Sequence, residues 1–254
     1  MEEKFEKVIE LFKSETEKEC YQVLLVDGEP SIMEDKIGGK PYLPVGEEYP
    51  EDENGEPLAL LLQVNLSNIE LKGYPKKGIL EIFTDKDVEW PCQYVVKYFE
   101  DGLDYQTELP DVDLRNYIVQ KSYKIDLTKS KSYMSTNDYR FISVFSNIVN
   151  KVFDENISNF GQLDDFFGSF SWFDKMLSAC ANPFITLGGY PDFTQSDPRG
   201  DMDANKDECL FKLDSSADYK NFSIGDSGII FTLISQEDIE NCNFENAFVD
   251  WDCC

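Results

Sequence analysis

The chain has 254 residues, enough for one large domain or two small ones, and its 41% hydrophobic and 14% aromatic content supplies a packed core and excludes wholesale disorder. Lys and Arg number 23 against 50 Asp and Glu, a formal charge of −27, and a field of that sign repels phosphate backbones and anionic headgroups, so ordinary nucleic-acid and membrane-surface binding are excluded. No His occurs anywhere, which removes Ser-His-Asp, Cys-His and His-metal chemistry.

Phe5, Val8, Ile9 and Phe12 recur at helical spacing and predict an amphipathic helix over 3–19. The opening stretch mixes acids and bases, unlike an export signal, and no apolar run approaches the ~20 residues that cross a bilayer. A strand over 21–26 runs into the Asp27-Gly28 turn, and the Gly and Pro content of 36–57 makes that segment a long shaped loop. Strands are expected at 58–66, 78–84 and 93–99, joined by turns containing Gly73, Pro75 and Pro91, with a further one at 123–127. The basic stretch Lys121, Lys124, Lys129 and Lys131 reads as a solvated strand and loop. Helices are expected over 138–153 and 163–180, the second opened by Asp164-Asp165, where carboxylates suit the dipole. Strands resume at 208–213, 228–234 and 244–251. The seven cysteines are scattered, with no CxxC pair, and predict reduced thiols in a cytoplasmic protein, adjacent Cys253 and Cys254 included.

Shifted by 150 residues, the sequence matches itself: Gly38-Gly39-Lys40-Pro41 aligns with Gly188-Gly189-Tyr190-Pro191, Leu60-Leu61 with Leu210-Phe211, and 78–83 with 228–233. The expectation is an α+β fold: one 1–254 domain in which two β-rich units, 38–84 and 188–234, are related by a pseudo-twofold axis, with an N-terminal helix and central helices added. The segments KIGGKPYLP (36–44), LLQVN (61–65), PKKGILEIF (75–83), GGYPDFTQSDPR (188–199), LFKLD (210–214), GDSG (225–228) and WDCC (251–254), in that order, resemble the YwqG family of mostly bacterial proteins of unknown function. The resemblance covers nearly the whole chain and implies an α+β fold with duplicated halves, without an established reaction. Family members often carry a His just before the second Gly-Gly and a Trp before the GDxG turn. Thr186-Leu187 and Ile224 stand there instead, so an activity resting on that His does not carry over.

Candidate chemistry gathers near the glycine loops. Gln195, Asp197 and Arg199 combine an acceptor, a carboxylate and a fork-shaped guanidinium, either as a ligand-reading cluster or as a brace for the second loop. Gln63 and Asn65 carry the same two readings in the first copy, because polar strand residues beside such loops often satisfy loop backbone groups. Asp201, Asp203 and Asn205 begin like a calcium loop, but Lys206 and Lys212 occupy its sixth and twelfth positions, so a solvated acidic loop is expected. Neither Gly-Gly loop matches a phosphate-binding pattern, and no metal or other cofactor is expected. Carboxylate pairs such as Asp226 with Asp252 carry little weight among 50 acids.

The first 60 residues hold 17 acids against 6 bases and the last 64 hold 15 against 4, so both Gly-Gly loops adjoin acidic blocks. The leading expectation is a non-catalytic acidic module for a basic protein partner, in its concrete version a toxin that it neutralises. The alternative is a carboxylate-based hydrolase or small-ligand-binding enzyme acting on a polar substrate.

Overall fold

The computed structural model describes residues 2–85, 92–100, 102–168, 171–200 and 205–253. Its first helix, α1 (Glu2–Thr16), buries Phe5, Val8 and Phe12 along one face, and Thr16 finishes it by donating its hydroxyl to the Phe12 carbonyl at 2.8 Å. Then come β1 (Lys18–Val26), the short β2 (Lys36–Ile37), β3 (Ala59–Asn65), β4 (Ile79–Thr84), β5 (Tyr94–Phe99) and β6 (Tyr123–Ser132). Three helices follow, α2 (Phe141–Phe153), α3 (Phe160–Phe167) and α4 (Ser171–Ala179). The chain continues through β7 (Ile185–Gly188), β8 (Glu208–Asp214), β9 (Ile229–Ile234), α5 (Gln236–Glu240) and β10 (Phe248–Asp252).

The single helix expected over 163–180 is two. Asn159 caps α3 by accepting the Gln162 N–H, and Gly168 ends it at φ +69, a backbone angle that costs glycine little. Asp164 and Asp165 therefore lie inside α3 instead of opening it. The residues at 244–246 form a 3-10 turn, and the last strand begins only at Phe248. The basic stretch is solvated, with Lys129 paired to Glu70 and Lys131 to Glu17.

All the pairings are antiparallel and join the strands in the order β10-β9-β8-β7-β1-β6-β2-β3-β4-β5. Strands β2 to β5 thus lie in chain order on one side of the central β1–β6 pair, and β7 to β10 on the other. The first strand pairs with β7 and not with its chain neighbour β2, whose partner is β6. One buried cluster unites Leu62, Val64 and Ile82 from one side with Leu210, Phe211 and Leu213 from the other, so these faces of the sheet pack on each other. Tyr98 lies 5.3 Å from Phe244 and Tyr94 lies 6.5 Å from Phe248, which brings the two ends of the sheet together as a near-barrel. A second core joins α1, α2 and α4, where Phe145 stacks on Phe141 at 5.3 Å and on Trp172 at 5.4 Å, and it includes Tyr190 of the second Gly-Gly loop.

Both loops share local geometry. Gly38 and Gly39 have φ of +70 and +82, and Gly188 and Gly189 have +75 and +84. Each β3–β4 and β8–β9 ladder has one register shift, which skips Leu61 in the first and Leu210 in the second. Asn65 and Asp214 each cap the following 3-10 turn by accepting the N–H two residues on. The skipped residues and the caps are 149 apart while the glycines are 150 apart, so the constant offset read from the sequence slips by one along β3 and β8.

Candidate functional site

The first Gly-Gly loop folds back over one face of β2, β3 and β4, and Lys36, Gln63 and Glu81 beneath it bond to its backbone, with Glu81 Oε2 left without a hydrogen bond. The Tyr42 N–H is shared between Gln63 Oε1 at 2.7 Å and Glu81 Oε1 at 2.8 Å. The Gln63 amide donates to the carbonyls of Ile32 and Glu34 at 2.8 and 3.0 Å. Lys36, fully buried, spends its three N–H groups on the carbonyls of Ser31, Ile32 and Lys40 at 2.7, 2.7 and 2.8 Å. Burial lowers its pKa to about 8, against the opposing pull of Glu81, Glu34 and Asp35. Burial pushes Glu81 up to about 8 in turn, against the Tyr42 N–H and the charges of Lys36 and Lys97. Asn65 faces the following turn: its side chain accepts the Ser67 N–H, and its own N–H donates to Asp35 Oδ1 at 2.7 Å.

The second loop is tied down differently. The Tyr190 N–H donates to Ser132 Oγ, and the N–H groups of Thr194 and Gln195 both donate to Asp252 Oδ2 at 2.9 Å. The exposed Gln195 side chain donates to the Cys253 carbonyl at 2.6 Å, so it clamps β10 to the loop. Arg199 is buried between two carboxylates, with Nη2 at 2.6 Å from Asp197 Oδ2 and 2.7 Å from Asp138 Oδ2. Nε donates to Asp197 Oδ1 at 2.9 Å and Nη1 to the Asp207 carbonyl at 3.4 Å. Burial alone would raise the Asp138 pKa, but Arg140 and Arg199 outweigh it and hold the carboxyl below its usual range. Removing one member of such a buried set leaves an uncompensated charge, which costs about 3–5 kcal/mol. Under this loop Lys212 on β8, 1% exposed, draws down the pKa of Asp192, although burial of that carboxyl is the larger influence and raises it.

Gln195, Asp197 and Arg199 therefore stand together, Gln63 and Asn65 stand apart from them on β3, and each of the five is hydrogen-bonded within the chain. Asp201 and Asp203 of the calcium-like stretch, Pro91 and Cys254 lie outside the described residues. Among the described residues no group of three or more metal-ligating side chains converges, and the cysteines are free. Burial raises the thiols of Cys92 and Cys209 to about 12 and that of Cys180 to about 11, which keeps them protonated.

Two clefts adjoin the loops. One of about 370 Å³ lies beside Gly39, among Ser31, Lys40, Tyr49, Asp111 and Ser122. One of about 270 Å³ lies beside Gly188 and Gly189, between Leu71 and Tyr74 of the first half and Glu208 and Cys209 of the second, with the Lys18–Glu208 ion pair (2.8 Å) on its wall. The first lies in the lower part of the usual range for ligand pockets, about 300–1,000 Å³, and the second just below it. The sequence reading missed Lys36, Glu81 and Lys212 as buried charges. Glu81 and Lys212 each interrupt an apolar run, ILEIF and LFKL, which is the signal that points to them. It also missed Asp138, whose pairing with Arg199 across 61 residues has no local signature.

The fold and these loops define an acidic α+β protein, a curled antiparallel sheet with a helical layer, whose polar loop residues bond to backbone and side-chain groups of the same chain. Residues 35–253 match the family model described as "Domain of unknown function (DUF1963)", and the chain belongs to that family. No curated protein matches the chain.

Proposed function

We propose that this protein is a non-catalytic acidic binding module that takes up a basic protein partner, with toxin neutralisation as the concrete form of that role. The observation that carries the reading is the internal engagement of the polar loop residues. Arg199 is held by Asp138 and Asp197, Gln63 by Tyr42 and two carbonyls, and Gln195 by Cys253. What the molecule offers to others is then its charge, 50 acids against 23 bases, and a potential of that sign speeds encounter with a positive surface and rejects a negative one. A cytoplasmic location fits the free cysteines.

Two finer readings belong with it. We infer that residues 38–84 and 188–234 descend from one duplicated unit related by a pseudo-twofold axis. The matching glycine angles, register shifts and 3-10 caps support this, as does the placement of β2–β5 and β7–β10 about β1 and β6. We also place the chain in a YwqG-like branch on the seven ordered segments that carry that resemblance.

The test is titration with a basic ribonuclease and, separately, with an acidic protein of similar size, followed by calorimetry across a salt series. Binding of the basic protein alone, weakened at least tenfold between 50 and 300 mM salt, is the expected result. Absence of binding to the basic protein at low salt overturns the proposal.

A further inference from the structure

Three large hydrophobic side chains stand exposed on two segments that meet on this acidic surface: Val45 at 67%, Leu103 at 47% and Tyr105 at 38%. They belong to two segments far apart in the chain, which are laced together. The Val45 N–H donates to the Asp104 carbonyl and the Gln106 N–H to the Leu43 carbonyl, both at 2.8 Å, with a bridge between Pro44 and Tyr105. The Gln106 side chain donates to the carbonyls of Pro44 and Glu47 at 3.0 and 2.7 Å. Below them the fully buried Tyr42 packs on Tyr105, ring centroids 5.8 Å apart, and donates its hydroxyl to the Leu103 carbonyl at 3.1 Å. An exposed apolar side chain on a loose loop needs no explanation, but three held in fixed positions on a braced platform expose apolar area that folding alone gives no reason to gather.

The two segments themselves carry charge of one sign, and Lys97 of β5 pairs with Glu47 at 3.6 Å beside them. Residues 42–56 and 100–113 together contain twelve Asp and Glu and no Lys or Arg. Glu47 and Glu48 follow Val45 after Gly46, and Asp104 lies between Leu103 and Tyr105; all three acids are exposed. An apolar centre with a charged rim is the anatomy of a protein-binding surface, where the centre supplies affinity and the rim selects the partner. We propose that Val45, Leu103 and Tyr105 form the docking centre for a basic protein whose own contact surface alternates apolar side chains with Lys or Arg. A second copy of this chain would bring like charges together, and nucleic acid or an anionic membrane would be repelled.

The inference rests on the binding-module reading, and one experiment separates the two. The probes are a labelled nine-residue peptide alternating Lys and Leu and a control alternating Lys and Gly, followed by fluorescence anisotropy at 50 mM salt. The expected result is at least tenfold tighter binding of the Lys–Leu peptide. In the triple variant Val45→Ser, Leu103→Ser, Tyr105→Ser that preference disappears while the Lys–Gly affinity stays the same. In Leu24→Ser, Phe184→Ser, which alters exposed apolar residues elsewhere, the preference persists. A preference that survives the triple variant, or is absent from the wild type, overturns the docking site and leaves a basic-binding surface. Failure of both peptides to bind overturns the underlying reading as well. If the triple variant loses the wild-type melt, a photo-reactive leucine in the peptide replaces it: crosslinks within 43–48 and 102–108 of the wild type support the site, and crosslinks elsewhere overturn it.

Discussion

Glu81 sits fully buried in β4, its Oε1 accepting the Tyr42 N–H and its Oε2 without a hydrogen bond. Lys36 does not pin it as an ion, because the three Lys36 N–H groups are taken by carbonyls. Burial holds the Glu81 pKa near 8, whereas an unfolded glutamate titrates near about 4.3. The folded chain therefore keeps a proton that the unfolded chain gives up, and the stability this group contributes is complete below about 4.3 and is lost as pH rises toward 8. The limiting slope is about 1.4 kcal/mol per pH unit. Glu81→Gln retains an acceptor for the Tyr42 N–H and removes the titration. Urea midpoints of variant and wild type should coincide near pH 4.5 and separate steadily up to pH 8, with the variant more stable; parallel midpoints across that range would disprove a buried neutral acid. The interruption of ILEIF by a charge is visible in the sequence, but strand alternation by itself assigns such a residue to solvent. The loop that covers this face is brought there by tertiary contacts, which no local pattern records.

Among the elements, the strands were legible where apolar residues crowd six or seven positions with a single polar interruption or two, as in 59–65, 79–84 and 229–234, and their observed limits differ from the expected ones by a residue or so. β2 and β7 were not, since two and four residues leave no period to read, and each owes its pairing to the sheet it joins. The Gly-Gly turns that end them were legible as turns but not as packing constraints. A Cβ on Gly189 would collide with Ser132 Oγ and come within 2.9 Å of the Cys20 Cβ, whereas one on Gly46 would meet nothing within 4 Å, although both glycines have positive φ. Gly46→Ala should then cost only the backbone strain, about 1–2 kcal/mol. Gly189→Ala should cost about 1–3 kcal/mol beyond that, from overpacking against the central strands. Denaturant midpoints of the two variants measure the difference, and equal losses would show that the close approach to β1 and β6 carries no energy.

For the molecule as a whole, the decisive feature is that the two halves of the sheet do not each hold their own first strand. β1 pairs with β7 through Cys20, Tyr21 and Gln22, and β2 takes β6 as its partner through Lys36 and Ile37. The long β1–β6 ladder, which runs from Lys18 opposite Ser132 to Val26 opposite Lys124, then locks the exchange in place. The sequence offset pointed to two similar halves but carried no information about this crossing, because strand order depends on which edges meet and not on the pattern within any strand. A consequence is that neither half has a complete sheet of its own. Fragments 1–110 and 111–254, separated at the exposed Pro110, would each display an unpaired edge and half of the shared core around Leu62 and Phe211. Expressed alone, each should lack a cooperative thermal transition. Mixed or co-expressed, they should assemble one to one and melt as a single unit, with near-ultraviolet circular dichroism matching that of the intact chain. A cooperatively folded 1–110 fragment in isolation would show that β1 can return to its own half, and the exchange would then be incidental to how the molecule holds together.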